Sequence, residues 1–176
     1  MKPLLLKTLL LLATTLNCNC EDNNTNDSTG DDSFSCDMNG QLYIPSAGTG
    51  IGGGDIRPFS WAYTNFEDDN NPYLFTMGSG GNFTLSINVI NPELGENSLN
   101  EELIHQFETE HSGMIVLNSD DFYNTRNNQD NGTVNFTELS ETKAIGTFEC
   151  ILYDVDGNEL RVTNGKFNLS LDSRTN

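Results

Sequence analysis

Several stretches of this 176-residue chain carry residue types that could do chemistry. Ile44-Pro-Ser-Ala-Gly-Thr-Gly-Ile-Gly-Gly-Gly-Asp55 contains a Gly-x-Gly-x-Gly-Gly-Gly run. A phosphate cradle needs such glycines between a buried strand and a helix, so that backbone amides and the helix N-terminus hold the anion. Here Pro45 precedes the run, Pro58 follows it, and no Lys-Ser or Lys-Thr closes it. The stretch therefore predicts a bending loop that crosses from one strand to the next. Asp154-Val-Asp-Gly-Asn-Glu159 places three oxygen-bearing side chains, Asp154, Asp156 and Asn158, at alternate positions, which suits a hard cation such as calcium. The glycine comes too early for an EF-hand and no Glu stands at the twelfth loop position. An Asp-Gly turn explains the same residues without metal. His105 and His111 are six apart, whereas two zinc ligands on one helical face would be four apart.

No Gly-x-Ser-x-Gly and no ordered Ser, His and Asp set stands out. Paired carboxylates abound, so no particular pair points to hydrolysis, and a carboxylate-dependent hydrolase ranks last among the readings. The expectation is a non-enzymatic protein without a cofactor, calcium at Asp154, Asp156 and Asn158 being the alternative. Trp61 and Tyr63 could stack a sugar ring, against the plainer reading that they pack the core. Cys36 and Cys150 could close a disulfide outside the cytoplasm, or stay two buried thiols that never meet.

The elements around these residues read as strands. Phe34–Met38 and Gln41–Ile44 flank Asn39-Gly40, which suits a type I′ hairpin turn. Phe59–Phe66 alternates with aromatic residues, Phe83–Val89 alternates apolar and polar residues, and Tyr73–Met77 reads as another strand between them. Ser98-Leu-Asn-Glu101 resembles a capping box, and Leu99, Leu103 and Phe107 recur every four residues, so the spacing predicts one helix over 99–109. Met114–Leu117 is a short strand, and 120–131 a polar loop. Gly132–Thr137, Gly146–Tyr153, Leu160–Thr163 and Lys166–Leu171 complete the set, with Asn164-Gly165 between the last two. Frequent turns among short strands predict an all-β fold: an antiparallel β-sandwich, or a partly closed barrel, with one short helix.

The N-terminus speaks to address. Lys2 and Lys7 precede and interrupt an apolar stretch ending at Leu16, too short to span a bilayer and typical of a cleaved signal. The cysteine that follows resembles the lipobox of bacterial lipoproteins, although Thr15-Leu16-Asn17 departs from its usual residues. The expected organisation is a signal peptide over 1–17, a lipidated Cys18 (alternatively Cys20), a disordered acidic tether over 18–33 and one β-sandwich domain over 34–172. Residues 23–33 lack any large apolar side chain and cannot offset their ordering entropy. The acidic Glu21-Asp22 pair resembles the surface-export signal of Bacteroidota lipoproteins.

A wider resemblance rests on Asn39-Gly40-Gln41, Gly132-Thr-Val-Asn-Phe136, Lys143-Ala-Ile-Gly-Thr-Phe148, Asp156-Gly157-Asn158 and Val162-Thr-Asn-Gly-Lys-Phe167. Together they resemble short Bacteroidota lipoproteins grouped as domain of unknown function 6252. The resemblance spans most of the domain and is sharpest over 132–171. It implies an anchored β-sandwich at the outer membrane or cell surface, and assigns no catalytic residue.

Charge narrows the partners. The chain carries 8 basic and 26 acidic residues, a net −18. Losing Lys2 and Lys7 with the signal leaves 6 basic against 26 acidic residues, about −20. Nucleic acid is excluded as a partner, because phosphate binding needs clustered Lys and Arg. The membrane is met through the lipid anchor alone, and the remaining partner is an unidentified protein or glycan. A calcium-dependent binder of extracellular glycans is the alternative function.

Overall fold

The computed structural model describes residues 32–49, 55–64, 73–80, 83–105, 110–118 and 121–174. The leader, both lipidation candidates Cys18 and Cys20, nearly all of the tether, the tip of the glycine loop and the expected helix end with Phe107 lie outside the described residues.

The fold is all-β and antiparallel. Its strands are β1 (Ser33–Met38), β2 (Gln41–Tyr43), β3 (Gly48–Thr49), β4 (Asp55–Ile56), β5 (Phe59–Thr64), β6 (Tyr73–Gly80), β7 (Phe83–Ile90), β8 (Gly95–Ser98), β9 (Gly113–Asn118), β10 (Phe122–Asn124), β11 (Gly132–Leu139), β12 (Ala144–Tyr153) and β13 (Glu159–Leu169). One half of the sheet runs β2-β1-β13-β12-β11-β8, the other β10-β9-β7-β6-β5. They join where Tyr153, at the end of β12, pairs with Asn124 of β10. The sheet does not close into a barrel, with β2 and β5 at the ends of its path. The core between the halves takes Phe34, Cys36, Phe136, Phe148 and Phe167 from the first and Trp61, Leu85, Ile87, Met114 and Val116 from the second.

The expected hairpin forms as read. Asn39 and Gly40 both adopt positive φ, 49° and 78°, which a type I′ turn requires. The glycine stretch frames a separate two-stranded pair, Gly48 opposite Ile56 and Thr49 opposite Asp55. Neither pair of flanking residues leads into a helix, so the phosphate-cradle geometry is not met.

Two expectations need correction. The first is the helix. Residues 99–105 are not helical. Leu99 and Leu103 are buried as their spacing implied, but Ile104 is 74 % exposed. The backbone finds partners far along the chain instead of four residues away. Leu99 N–H donates to Gly132 O at 2.8 Å and Glu101 N–H to Ser112 O at 3.1 Å. Glu102 N–H donates to Asn127 Oδ1 at 2.9 Å. Buried Asn124 accepts from Leu103 N–H at 3.3 Å and donates to Leu103 O at 2.7 Å, standing in for a paired strand. Asn124 lies on β10, inside the stretch expected to be loop. Asn124→Ala would leave a buried N–H and a buried C=O unpaired. We expect a loss of about 2–4 kcal/mol by urea denaturation, with no change in slope; a loss under about 1 kcal/mol would contradict this account.

The second correction is at Asn164-Gly165. The chain does not turn there, and β13 runs unbroken through it. Val162 and Phe167 both face the core, five residues apart, an odd spacing that strict alternation forbids. Asn164 is the extra residue, with φ 53°. The register shifts by one at this point against both β1 and β12. An inserted residue in the left-handed region is a β-bulge, which bends the strand while keeping each side's facing.

Contacts also involve residues just outside 34–172. Asp32 Oδ1 accepts from Ser170 N–H at 2.7 Å and from Ser173 Oγ–H at 2.6 Å. Trp61 N–H donates to Ser173 O at 3.2 Å, and Trp61 forms an isolated bridge with Arg174.

Candidate binding face

The proposed stacking residues do not form a site. Trp61 is 0 % exposed and its Nε1–H donates to Ser170 O at 2.7 Å. The Arg174 guanidinium lies 5.9 Å from its ring centroid and donates to Tyr63 O at 2.9 Å. Tyr63 packs half-buried against the core. Trp61 is thus a core residue, the plainer of its two readings: an aromatic in an alternating strand faces either way, and the tail after β13 covers this one.

The Asp154 loop closes the β12–β13 hairpin. Asp154 Oδ1 accepts from Asp156 N–H at 2.9 Å and from Asn158 N–H at 2.7 Å. Its Oδ2 accepts from Asn158 Nδ2–H at 2.7 Å. These donors, the Asn158 side chain first, hold the Asp154 carboxyl below its ordinary pKa. Three N–H groups converge on the carboxylate where a cation would have to sit, and Asn158 turns its amide nitrogen towards Asp154. Such a donor set suits a self-capped turn and does not fit a calcium cage.

Cys36 and Cys150 are free, buried thiols. β13 separates β1 from β12, so two strand spacings, about 9.6 Å, lie between the cysteines. That exceeds the Cα separation of about 7 Å beyond which a disulfide needs backbone movement, and of the two alternatives the structure holds the two thiols. Burial, and then the neighbouring Asp37, pushes Cys36 up to about 12; burial pushes Cys150 up as well. The raised values favour the folded state fully below the ordinary thiol pKa of about 8.5, and this advantage fades as pH rises above it. Maleimide is therefore expected to label Cys36 and Cys150 at neutral pH only after unfolding in guanidinium. Labelling of either in the native protein within minutes would refute the burial.

A concavity of about 880 Å³ lies on the outer face of the first half-sheet, where no motif had pointed. Its geometry follows from register. Ser35 pairs with Lys166, Lys166 with Thr147, Thr147 with Asn135, and Asn135 with Glu96. This is a single row of polar side chains across β1, β13, β12, β11 and β8. Two residues along, Asp37, Asn164, Glu149 and Thr133 form a second row, with Asn164 Nδ2–H donating to Asp37 Oδ2 at 2.7 Å. Leu42 and Ile44 border the trough beside β1, 69 % and 48 % exposed.

The concavity has a local cause. Register shifts fall between Ser35 and Asp37, between Phe136 and Glu138, and between Phe148 and Cys150. The first and third are the one bulge at Asn164 of β13, met from β1 and from β12, and the second is a bulge on β11; bulges on the two strands that flank β12 raise the twist and bend the sheet there. Two glycines let the curved belt pack. Gly146 is opposite Phe167 and Gly165 opposite Phe148, so each ring lies over a partner strand's missing side chain. The outward polar pattern was legible as strand alternation. That these particular residues line up was not, because each row depends on register between strands distant in sequence. No family model, curated protein or solved structure matches the chain.

Proposed function

We propose that this chain is a lipid-anchored envelope or cell-surface lipoprotein whose β-sandwich serves as a non-enzymatic binding module, its ligand held on the concave outer face. The observation that carries the reading is that face itself: two aligned rows of hydroxyl, carboxamide and charged side chains on a sheet whose other face packs the core. Its members are held by strand register, which is the preorganisation a binding site needs. The anchoring half of the reading rests on the leader and Cys18, together with the resemblance to the lipoproteins of domain of unknown function 6252. The stretch from Cys18 to Asp32 would reach about 20 Å as a flexible chain, enough to stand the domain off a membrane at its β1 end.

Two experiments test it. Cells expressing the protein are grown with an alkynyl palmitate analogue, and label is expected in the parent and to vanish in Cys18→Ala. If Cys18→Ala and Cys20→Ala both retain label, the anchor is misassigned. Incubation with oligosaccharides or peptides is expected to release no new reducing ends or amines. Turnover abolished by a single Asp or Glu substitution would replace the binding reading with a hydrolase.

A further inference from the structure

The two polar rows limit what the concave face can hold. Five strands from β1 to β8 span about 19 Å, and the rows lie about 7 Å apart, two residues along each strand. Four of the five strands thus present one hydrogen-bonding side chain to either edge of a trough, and β8 presents Glu96 to one edge, repeated every strand spacing of about 4.8 Å. A linear chain of pyranose rings has a repeat close to that spacing and a ribbon of hydroxyls along both edges. A protein surface is a poorer match. Interface centres favour large aromatic anchors and are depleted in Lys, Glu, Asp and Ser, the types that line this trough. Charge removes acidic polymers: Asp37, Glu96 and Glu149 face a single ammonium, Lys166, on a protein of net −18.

Resting on the binding-module reading above, we infer that the ligand of this face is an extended, neutral oligosaccharide lying across β1, β13, β12, β11 and β8. Asn135 offers a carboxamide that both donates and accepts, Thr147 a hydroxyl that does the same, and Glu149 and Asp37 accept from sugar hydroxyls. Leu42 and Ile44 supply apolar surface for the C–H face of a terminal ring. The Asp154 loop and Trp61 line no part of this trough, so recognition here uses neither the calcium candidates nor the stacking residues of the sequence reading.

The test uses the full-length protein, ¹⁵N-labelled and held in detergent. It is titrated with neutral hexasaccharides of β-1,4-glucan, β-1,4-xylan, β-1,4-mannan, β-1,3-glucan and α-1,4-glucan. A polyuronate oligomer and a lysine-rich decapeptide are run in parallel. At least one neutral hexasaccharide is expected to bind saturably, shifting amides of Thr133–Asn135, Thr147–Glu149 and Lys166, while the polyuronate does not. Asn135→Ala with Thr147→Val is expected to weaken binding about tenfold at unchanged Tm, since each net hydrogen bond is worth about 0.5–1.5 kcal/mol. Asp130→Asn, exposed and outside the trough, is expected to bind as the parent does. Failure of all five neutral chains, or full affinity in the double variant, overturns the glycan assignment. If the decapeptide alone moves those amides, the glycan assignment falls and the binding-module reading stands; if nothing moves them, both fall.

Discussion

Trp61→Ala is expected to destabilise the protein by about 3–5 kcal/mol, a large share of what a domain of this size possesses. The ring is wholly buried, its N–H is satisfied by Ser170 O, and Arg174 lies over its face. Truncation would open a large cavity and remove the indole N–H from the Ser170 carbonyl, which would keep only the longer contacts from Ser173 N–H at 3.3 Å and Ser173 Oγ–H at 3.2 Å. It would also weaken the hold on the tail, because the indole bond to Ser170 O and the Arg174 contact with the ring are lost, while the backbone bond from Trp61 N–H to Ser173 O remains. Urea unfolding followed by far-ultraviolet circular dichroism measures the loss. A variant as stable as the parent would mean that Trp61 is not core, and would restore it as a ligand-stacking residue. Trp61→Phe separates the contributions: most of the packing returns, and the missing N–H leaves a deficit of about 1–2 kcal/mol.

The second large effect lies where aromatic rings replace missing side chains. A methyl at Gly146 would sit 2.4 Å from Asn135 O and 2.6 Å from the Phe167 ring. One at Gly165 would sit 2.5 Å from Phe148 O and 2.6 Å from the Phe148 ring. Phe167 in turn packs against Phe136 and Phe148, at centroid distances of 5.7 and 6.3 Å. Neither ring can swing aside without disturbing the other. Gly146→Ala and Gly165→Ala are each expected to cost about 2–4 kcal/mol, more than a strand glycine normally loses, since alanine usually suits a strand better. Gly40→Ala is the contrast: no atom lies within 4 Å, and only its φ of 78° is strained, so about 1–2 kcal/mol is expected. Combining Gly146→Ala with Phe167→Ala should cost at least 1 kcal/mol less than the two singly, because the vacated ring space admits the methyl. Additive losses would show that the ring contact is not the cause.

The residues that misled are as instructive as those that did not. Leu99 and Leu103 have helical spacing and are buried, yet the segment is not helical, because Asn124, Asn127 and the Gly132 and Ser112 carbonyls complete its backbone hydrogen bonds from elsewhere. Periodicity reports which side chains go inside. It does not report which partner satisfies the backbone. The odd gap from Val162 to Phe167 was a readable sign of one inserted residue, and Asn164-Gly165 was read as a break because the same pair serves turns and bulges alike. Asp156-Gly157 marked a hairpin correctly, but the loop is organised by Asp154, whose carboxylate caps it.

Alternation, turn chemistry and composition alone determined an antiparallel all-β fold, the Asn39-Gly40 hairpin and a strongly negative chain. These are legible because period, φ preference and charge are properties of neighbouring residues. The tertiary structure alone decided that Trp61 is core, that Cys36 and Cys150 stand apart, and that Ser35, Lys166, Thr147, Asn135 and Glu96 share one row. Those outcomes depend on register and strand order, which arise from pairing residues distant in sequence; Ser35 and Lys166 are 131 positions apart. Local preference carries no information about such pairs, because many registers satisfy the same alternation and only the packing of the whole core distinguishes among them.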